Sequence, residues 1–196
     1  MTTILTYQPP FPYSDTMKMA MIVAMDEEGC IGKQGDLPWR LKSDMIRFKN
    51  LTESDGFNAV IMGRKTWDSL PDSFQPLPER VNIVMSRDIG WSHDEAEVAL
   101  YHGRAIEIAY AEACDECWVI GGAQIYEMFI ERVDEIHVTT VHTSGSGDVK
   151  FPEWDRSRWI ESIVEKLEAD EDNEHATTYS VWTKSWFALL IAPFPW

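Results

Sequence analysis

The sequence is short of positive charge, of cysteine and of long apolar runs, and each shortage removes a class of function. Lys and Arg number 17 against 33 Asp and Glu, a formal charge of -16. A surface this acidic repels nucleic acid and anionic membranes, so neither is expected as a partner. It also makes the fold self-repelling, a strain that a salty habitat would screen. Three cysteines, Cys30, Cys114 and Cys117, are too few for a disulfide framework. Cys114-Asp115-Glu116-Cys117 has C-x-x-C spacing, but no second pair completes a zinc site and nothing thioredoxin-like surrounds it, so it reads as a helix end running into a strand. His93, His102, His137, His142 and His175 show no metal-ligand spacing and read as surface or strand residues, so no metal is expected. No serine lies in a G-x-S-x-G context and no cysteine has a nearby histidine partner, which removes support for hydrolase chemistry. The apolar stretch from Phe187 to Trp196 is interrupted by Pro193 and Pro195 and falls well short of the roughly 20 residues a membrane span needs. It could pack on the body or mediate association; a monomer is expected, with association through this tail left open. No early segment joins positive charge to an apolar run, so no signal peptide is expected and a cytoplasmic location with reduced thiols is.

What is present is one domain's worth of alternating elements. With 196 residues, 44% hydrophobic and 26% charged, the chain reads as soluble and globular. Residues 1–18 read as a tail broken by Pro9, Pro10 and Pro12, residues 19–186 as the domain, and residues 187–196 as an apolar tail. Met19 to Met25 is an apolar run of strand length, followed by a Gly- and charge-rich loop from Asp26 to Arg40. Ser43 is the expected N-cap of a helix to about Leu51, with Met45, Phe48 and Leu51 on its inner face. Strands are expected at Ala59–Met62, Val81–Met85, Cys117–Ile120 and Ile136–Val141, and helices after Gly63, over Ala105–Ala113 and over Ala123–Ile130. Strands alternating with helices make βαβ units, hence an α/β fold with a central, mostly parallel sheet and helices on both faces. Trp159–Leu167 and Thr177–Trp182, joined by the acidic turn Ala169–Glu174, predict a closing C-terminal antiparallel hairpin.

Two strand-to-helix junctions are equipped to hold phosphate. In Met62-Gly63-Arg64-Lys65-Thr66-Trp67 a turn glycine admits a ligand to backbone N–H groups at a helix start. Arg64, Lys65 and, after the next strand, Arg87 form a cationic cluster suited to the 2′-phosphate of NADP; a solvated basic helix start is an equal reading. Ile120-Gly121-Gly122-Ala123-Gln124-Ile125-Tyr126 has paired glycines but no G-x-G-x-x-G, so tight helix packing explains it as well. Asp44 falls in the first turn of a helix with an apolar inner face. There a lone carboxylate could hold an amidine-like edge by two parallel hydrogen bonds, or merely complement the helix dipole.

Taken in order, Ile31-Gly32, Leu37-Pro38-Trp39, Asp44 with Phe48, Met62 to Trp67, Pro76-Leu77-Pro78-Glu79-Arg80, Ile120-Gly121-Gly122, Tyr126, and Gly147-Asp148 before Phe151-Pro152 resemble dihydrofolate reductase over about Met19 to Trp186. The resemblance implies reduction of 7,8-dihydrofolate to tetrahydrofolate by hydride from NADPH, with N5 protonated through water. It implies that Asp44 holds the pterin's N3 and 2-amino group, supported by Thr139, and that Trp39 and Tyr126 stand beside the reaction. Ile22, Ala24, Leu37, Phe48, Leu70, Leu77 and Ile120 would line the substrate pocket, with Arg80 on the α-carboxylate of the glutamate tail. Ala24, Ile31, Gly32, Gly63, Arg64, Lys65, Thr66, Ser86, Arg87, Gly121, Gly122, Ala123, Gln124 and Ile125 fall where the family meets its cofactor. A cis Gly121–Gly122 peptide is implied too, as is closure of the Asp26–Arg40 loop held by Asp148. Lys42 stands where the family often has proline, and Gln124 where some members carry arginine. A related NADPH-dependent pterin or pyrimidine reductase is the alternative, and a non-catalytic binding protein the reading from another class.

Overall fold

Alternation along the apolar runs sorts the core into two layers. The computed structural model describes residues 17–53 and 57–185. In it β1 (Lys18–Asp26) sends Met19, Met21, Val23 and Met25 into one apolar cluster and Ala20 and Ile22 into another. β3 (Asn58–Gly63), β4 (Arg80–Met85) and β6 (Glu116–Gly121) divide by parity in the same way. Helices α1 (Lys42–Glu53) and α2 (Arg64–Ser69) cover one layer with Phe48, Leu51 and Trp67, joined by Leu70 just past the end of α2. Helices α3 (His102–Ala111) and α4 (Ala123–Phe129) cover the other with Ala105, Ile108, Ile125 and Phe129. A strand covered on both sides is apolar throughout, which is why these strands read as unbroken runs.

β1 pairs in parallel with β6 and with β7 (Glu135–Val141), β6 with β3, β3 with β4, and β4 with β5 (Glu97–Ala99). The hairpin of β9 (Trp159–Leu167) and β10 (Thr177–Lys184) closes the sheet, β10 running antiparallel to β7. The order is β5-β4-β3-β6-β1-β7-β10-β9, the mostly parallel α/β sheet with a C-terminal antiparallel pair that the sequence implies.

Four local expectations change. The short edge strand β5 was not foreseen, because three residues give no periodic signal. β2 (Cys30–Gly32) and β8 (Val149–Lys150) pair as a separate two-stranded sheet inside segments that read as loops. α3 starts at His102, ahead of Ala105, from a Tyr101 cap that makes no side-chain hydrogen bond and so leaves no start signal. Ser43 is not the cap of α1, which begins at Lys42, and Met45 is 52% exposed instead of facing inward. The cap comes from the distant hairpin turn: the Lys42 N–H donates to the Asp172 carbonyl (3.1 Å) and the Ser43 N–H to Asn173 Oδ1 (3.0 Å). The boundary of the expected N-terminal tail moves as well: Lys18 opens β1 in register with Glu116 and Met17 is buried in the core, while residues 1–16, the C-terminal tail and the domain's end at Trp186 lie outside the described residues. Among the described residues no helix is long and apolar enough to cross a membrane.

Candidate active site

The capped first turn of α1 lays Asp44 against β7. The Thr139 hydroxyl donates to Asp44 Oδ1 at 2.6 Å, and Arg47 Nη1 approaches the same oxygen at 3.2 Å. Asp44 is therefore not the isolated charge that an apolar helix face suggests; its cation stands one turn further on. The Asp44 side chain is 19% exposed. Burial pushes its carboxyl above the usual range, with Thr139 and Arg47 working against that rise.

From Asp44 the site extends over one layer of the core. Ile22 and Leu77 are buried there, and Phe48, Leu70 and Ile120 pack against the same cluster. Ala24 lies next to buried Trp39 and Leu41 in a smaller cluster. At the rim, half-buried Arg80 donates from Nη1 to Thr52 Oγ1 (2.6 Å) and from Nε to the Pro78 carbonyl (2.9 Å), with its guanidinium 5.9 Å above the Phe48 ring. Leu37 stands apart, 52% exposed on the loop before Trp39.

The two glycine junctions meet because β3 and β6 are sheet neighbours. A Cβ on Gly63 would come within 3.1 Å of Ile125, and one on Gly121, at φ +113°, within 3.0 Å of the Tyr126 ring. A Cβ on Gly122 would face Thr66 Oγ1, on the other junction, at 3.5 Å. The Gly121–Gly122 peptide is cis. Tyr126 turns inward, its hydroxyl 2.8 Å from the Ile22 carbonyl and 3.0 Å from that of Ile120, and burial pushes its pKa well up. Ala123 and Gln124 open α4, and Lys65, Arg87 and Gln124 are exposed. Arg64 is less free than its sequence context suggests, paired with Asp68 (3.7 Å) and Asp88 (3.3 Å). Ser86 is buried and accepts the Asp88 N–H at 3.1 Å.

Ile31 packs against the opposite core layer, and the Gly32 carbonyl accepts the Asp148 N–H at 3.0 Å. Asp148 Oδ1 in turn accepts the Gln34 N–H at 3.2 Å, joining two loops. Behind them buried Asp26 accepts the N–H groups of Glu28 (2.9 Å), Cys30 (2.8 Å) and Ser146 (3.1 Å). Burial raises its pKa, but these donors outweigh it and hold the carboxyl below 3.8.

Sequence reading missed Asp26, Arg47 and Asn173. The signal for Arg47 was its spacing three residues after Asp44, which puts both on one helix face. Asp26 could be found as a carboxylate ending an apolar strand just before a glycine turn. Nothing local marks Asn173, whose partner is far away in sequence. The C-x-x-C pair fits its reading as a helix end: both thiols are free and buried, with burial pushing Cys114 up to about 11 and Cys117 higher still. His137 is a buried strand residue. Among the described residues no His, Cys, Asp and Glu side chains gather as a metal site.

Residues 18–184 match the family model described as dihydrofolate reductase. The dihydrofolate reductase of Staphylococcus haemolyticus is 36% identical over 170 residues, covering 86% of this chain and 96% of the relative. That of Bacillus subtilis is 34% identical over 172 residues, covering 85% and 94%. Among solved structures, the dihydrofolate reductase from Enterococcus faecalis complexed with NADP(H) and RAB-propyl superposes with a TM-score of 0.75 at 31% identity, covering 86% of this chain and 96% of that one.

Proposed function

This chain belongs to the dihydrofolate reductase family and reduces dihydrofolate with NADPH, and on that premise we propose how its residues divide the work. Asp44 holds the N3 and 2-amino edge of the pterin by paired charge-assisted hydrogen bonds, and Thr139 fixes the carboxylate's rotamer. Phe48 packs on the substrate between Ile22, Ala24, Leu70, Leu77 and Ile120, with Leu37 covering it from the loop. Arg80, a planar two-donor cation at the rim, takes the α-carboxylate of the glutamate tail.

Packing against Ile125 and Tyr126 accounts for Gly63 and Gly121, while Gly122, facing Thr66 across the two junctions at a helix start, suits the approach of a dinucleotide's phosphates. Gly63, Thr66, Gly121, Gly122, Ala123, Gln124 and Ile125 would hold its backbone, with Ser86, Lys65, Arg87 and Arg64 toward a 2′-phosphate. Arg64 would trade Asp68 and Asp88 for that phosphate, while Lys65 and Arg87 are already exposed to meet one. Ala24, Ile31, Gly32 and Tyr126 would border the nicotinamide, which when bound supplies the hydride for carbon C6. N5 of the substrate must gain a proton for that carbon to accept it. Asp44 lies along the other edge of the ring in this reading, so a water admitted beside Trp39 delivers the proton and Asp44 tunes the ring's affinity for it. The tie between Gln34 and Asp148 supports closure of the loop over the site, which excludes bulk water.

We take residues 19–186 as the reductase domain of a monomeric, cytoplasmic enzyme that binds no nucleic acid. The charge of -16 and the three free, buried thiols support that reading. The observation that carries the site assignment is Asp44, shielded yet held by Thr139 beside an apolar wall. The test is oxidation of NADPH and of NADH with and without dihydrofolate. Turnover that needs dihydrofolate and is faster with NADPH is expected; equal rates with both coenzymes would remove the role of the Lys65–Arg87 cluster.

A further inference from the structure

Arg47 is a shielded cation that the chemistry so far leaves unused. Its side chain is 12% exposed. Nη1 approaches Asp44 Oδ1 at 3.2 Å and Thr139 Oγ1 at 3.3 Å, while Nη2 is ion-paired with Glu165. The guanidinium carbon lies 4.2 Å above the Tyr179 ring. These partners form one row across the sheet, because Thr139 on β7 pairs in register with Tyr179 on β10, and Tyr179 with Glu165 on β9. Arg47 on α1 stands over that row with its guanidinium above the aromatic ring and one nitrogen toward each carboxylate. A long side chain held on three sides keeps its charge at a fixed point beside Asp44.

The charged and titratable groups facing Asp44 are few. Arg47 faces it from α1, Glu165 from β9 behind Arg47, Tyr179 from β10 and Tyr126 from α4; Thr139 on β7 is the neutral donor. Burial raises both tyrosines, so they stay neutral. Behind Tyr179 lies His137, 2.7 Å from the phenol, and burial keeps its ring neutral. The local field at Asp44 is therefore set by one cation and one outer carboxylate.

We propose that Arg47, clamped by Glu165 and Tyr179, is a positioning residue that acts as the standing counter-ion of Asp44 and sets the pH at which the reduction loses its proton. The inference rests on the reading of Asp44 as the pterin-holding carboxylate. The reaction consumes a proton, so its rate falls on the alkaline side when the group supplying or receiving that proton is stripped. A fixed positive charge lowers the proton affinity of Asp44 and of any substrate atom beside it, and a negative charge raises it. The sign of the effect is thus the same whichever of these groups titrates.

The test is the alkaline limb of the single-turnover hydride-transfer rate in three variants. Arg47→Met is expected to move the midpoint up by about one pH unit or more. Glu165→Gln, which removes the outer negative charge from a side chain 45% exposed, is expected to move it down. Arg47→Lys keeps the charge and is expected to return the midpoint most of the way toward the native value. Midpoints that stay at the native value in Arg47→Met and Glu165→Gln, whatever the rates, would overturn the proposal and leave Arg47 a packing residue. Should Arg47→Met not fold, Glu165→Gln alone decides, since only an electrostatic role moves its midpoint downward. Asp44→Asn separates the two levels of argument. Full turnover in that variant sinks the assignment of Asp44 itself, whereas an inactive Asp44→Asn with unmoved midpoints in the other two sinks only the role of Arg47.

Discussion

Asp26 accepts three backbone N–H groups through one buried carboxylate, those of Glu28, Cys30 and Ser146. Those bonds join the end of β1 to both loops that approach the site. Asp26→Asn keeps the shape but loses the charge, and hydrogen bonds to charged groups contribute about 1.5–3 kcal/mol. A loss of about 2 kcal/mol in denaturant unfolding is expected at neutral pH. The folded carboxyl is held below 3.8, so this contribution is present above 3.8 and is lost as pH falls through the folded value. The gap between native and variant should close over that acid window; a gap independent of pH would show that packing, not charge, is at stake. At this scale the sequence shows residue types but not reach. Asp44, Phe48 and Arg80 are legible because their positions carry a motif. Arg47 is legible only as a helix-face neighbour of Asp44, because the rest of its setting lies in Glu165 and Tyr179, more than a hundred residues away.

The β9–β10 hairpin matters to the site as an element. Its acidic turn reads locally as a connection, yet Asp170 Oδ1 accepts the N–H groups of Asp172 (2.9 Å) and Asn173 (2.8 Å) and so shapes the turn into a cap for α1. Asn173 Oδ1 then receives the Ser43 N–H at 3.0 Å, one residue before Asp44. Asn173→Ala is expected to lower stability by about 1–2 kcal/mol, the usual cost of a lost cap. It should also raise KM for dihydrofolate more than KM for NADPH, since the turn touches α1 and not the glycine junctions. An equal rise in both would mean that the cap does not set the position of Asp44. Long, two-sided strands such as β1 and β6 were legible as apolar runs. β2, β5 and β8 were not, because two or three residues paired with distant partners leave no period to read.

For the whole molecule, the parity of residues along β1, β3, β4 and β6 divides the core, and the site opens where the α1–α2 layer meets the glycine junctions. The edges are managed differently. β5 is three residues long, while β9 exposes Ile160, Ile163 and Val164 among Glu161, Glu165 and Lys166, charges that discourage pairing with another sheet. The central claim is that this scaffold exists to hold a pterin on Asp44 for reduction by NADPH. The direct test is dihydrofolate-dependent NADPH oxidation by the native chain and by Asp44→Asn at neutral pH. The native chain should oxidise NADPH only when dihydrofolate is present. The variant should lose about 10²- to 10³-fold in kcat/KM while still binding NADPH, a loss on the scale of a proton-transfer contribution. A folded Asp44→Asn that turns over dihydrofolate at the native rate would contradict the account.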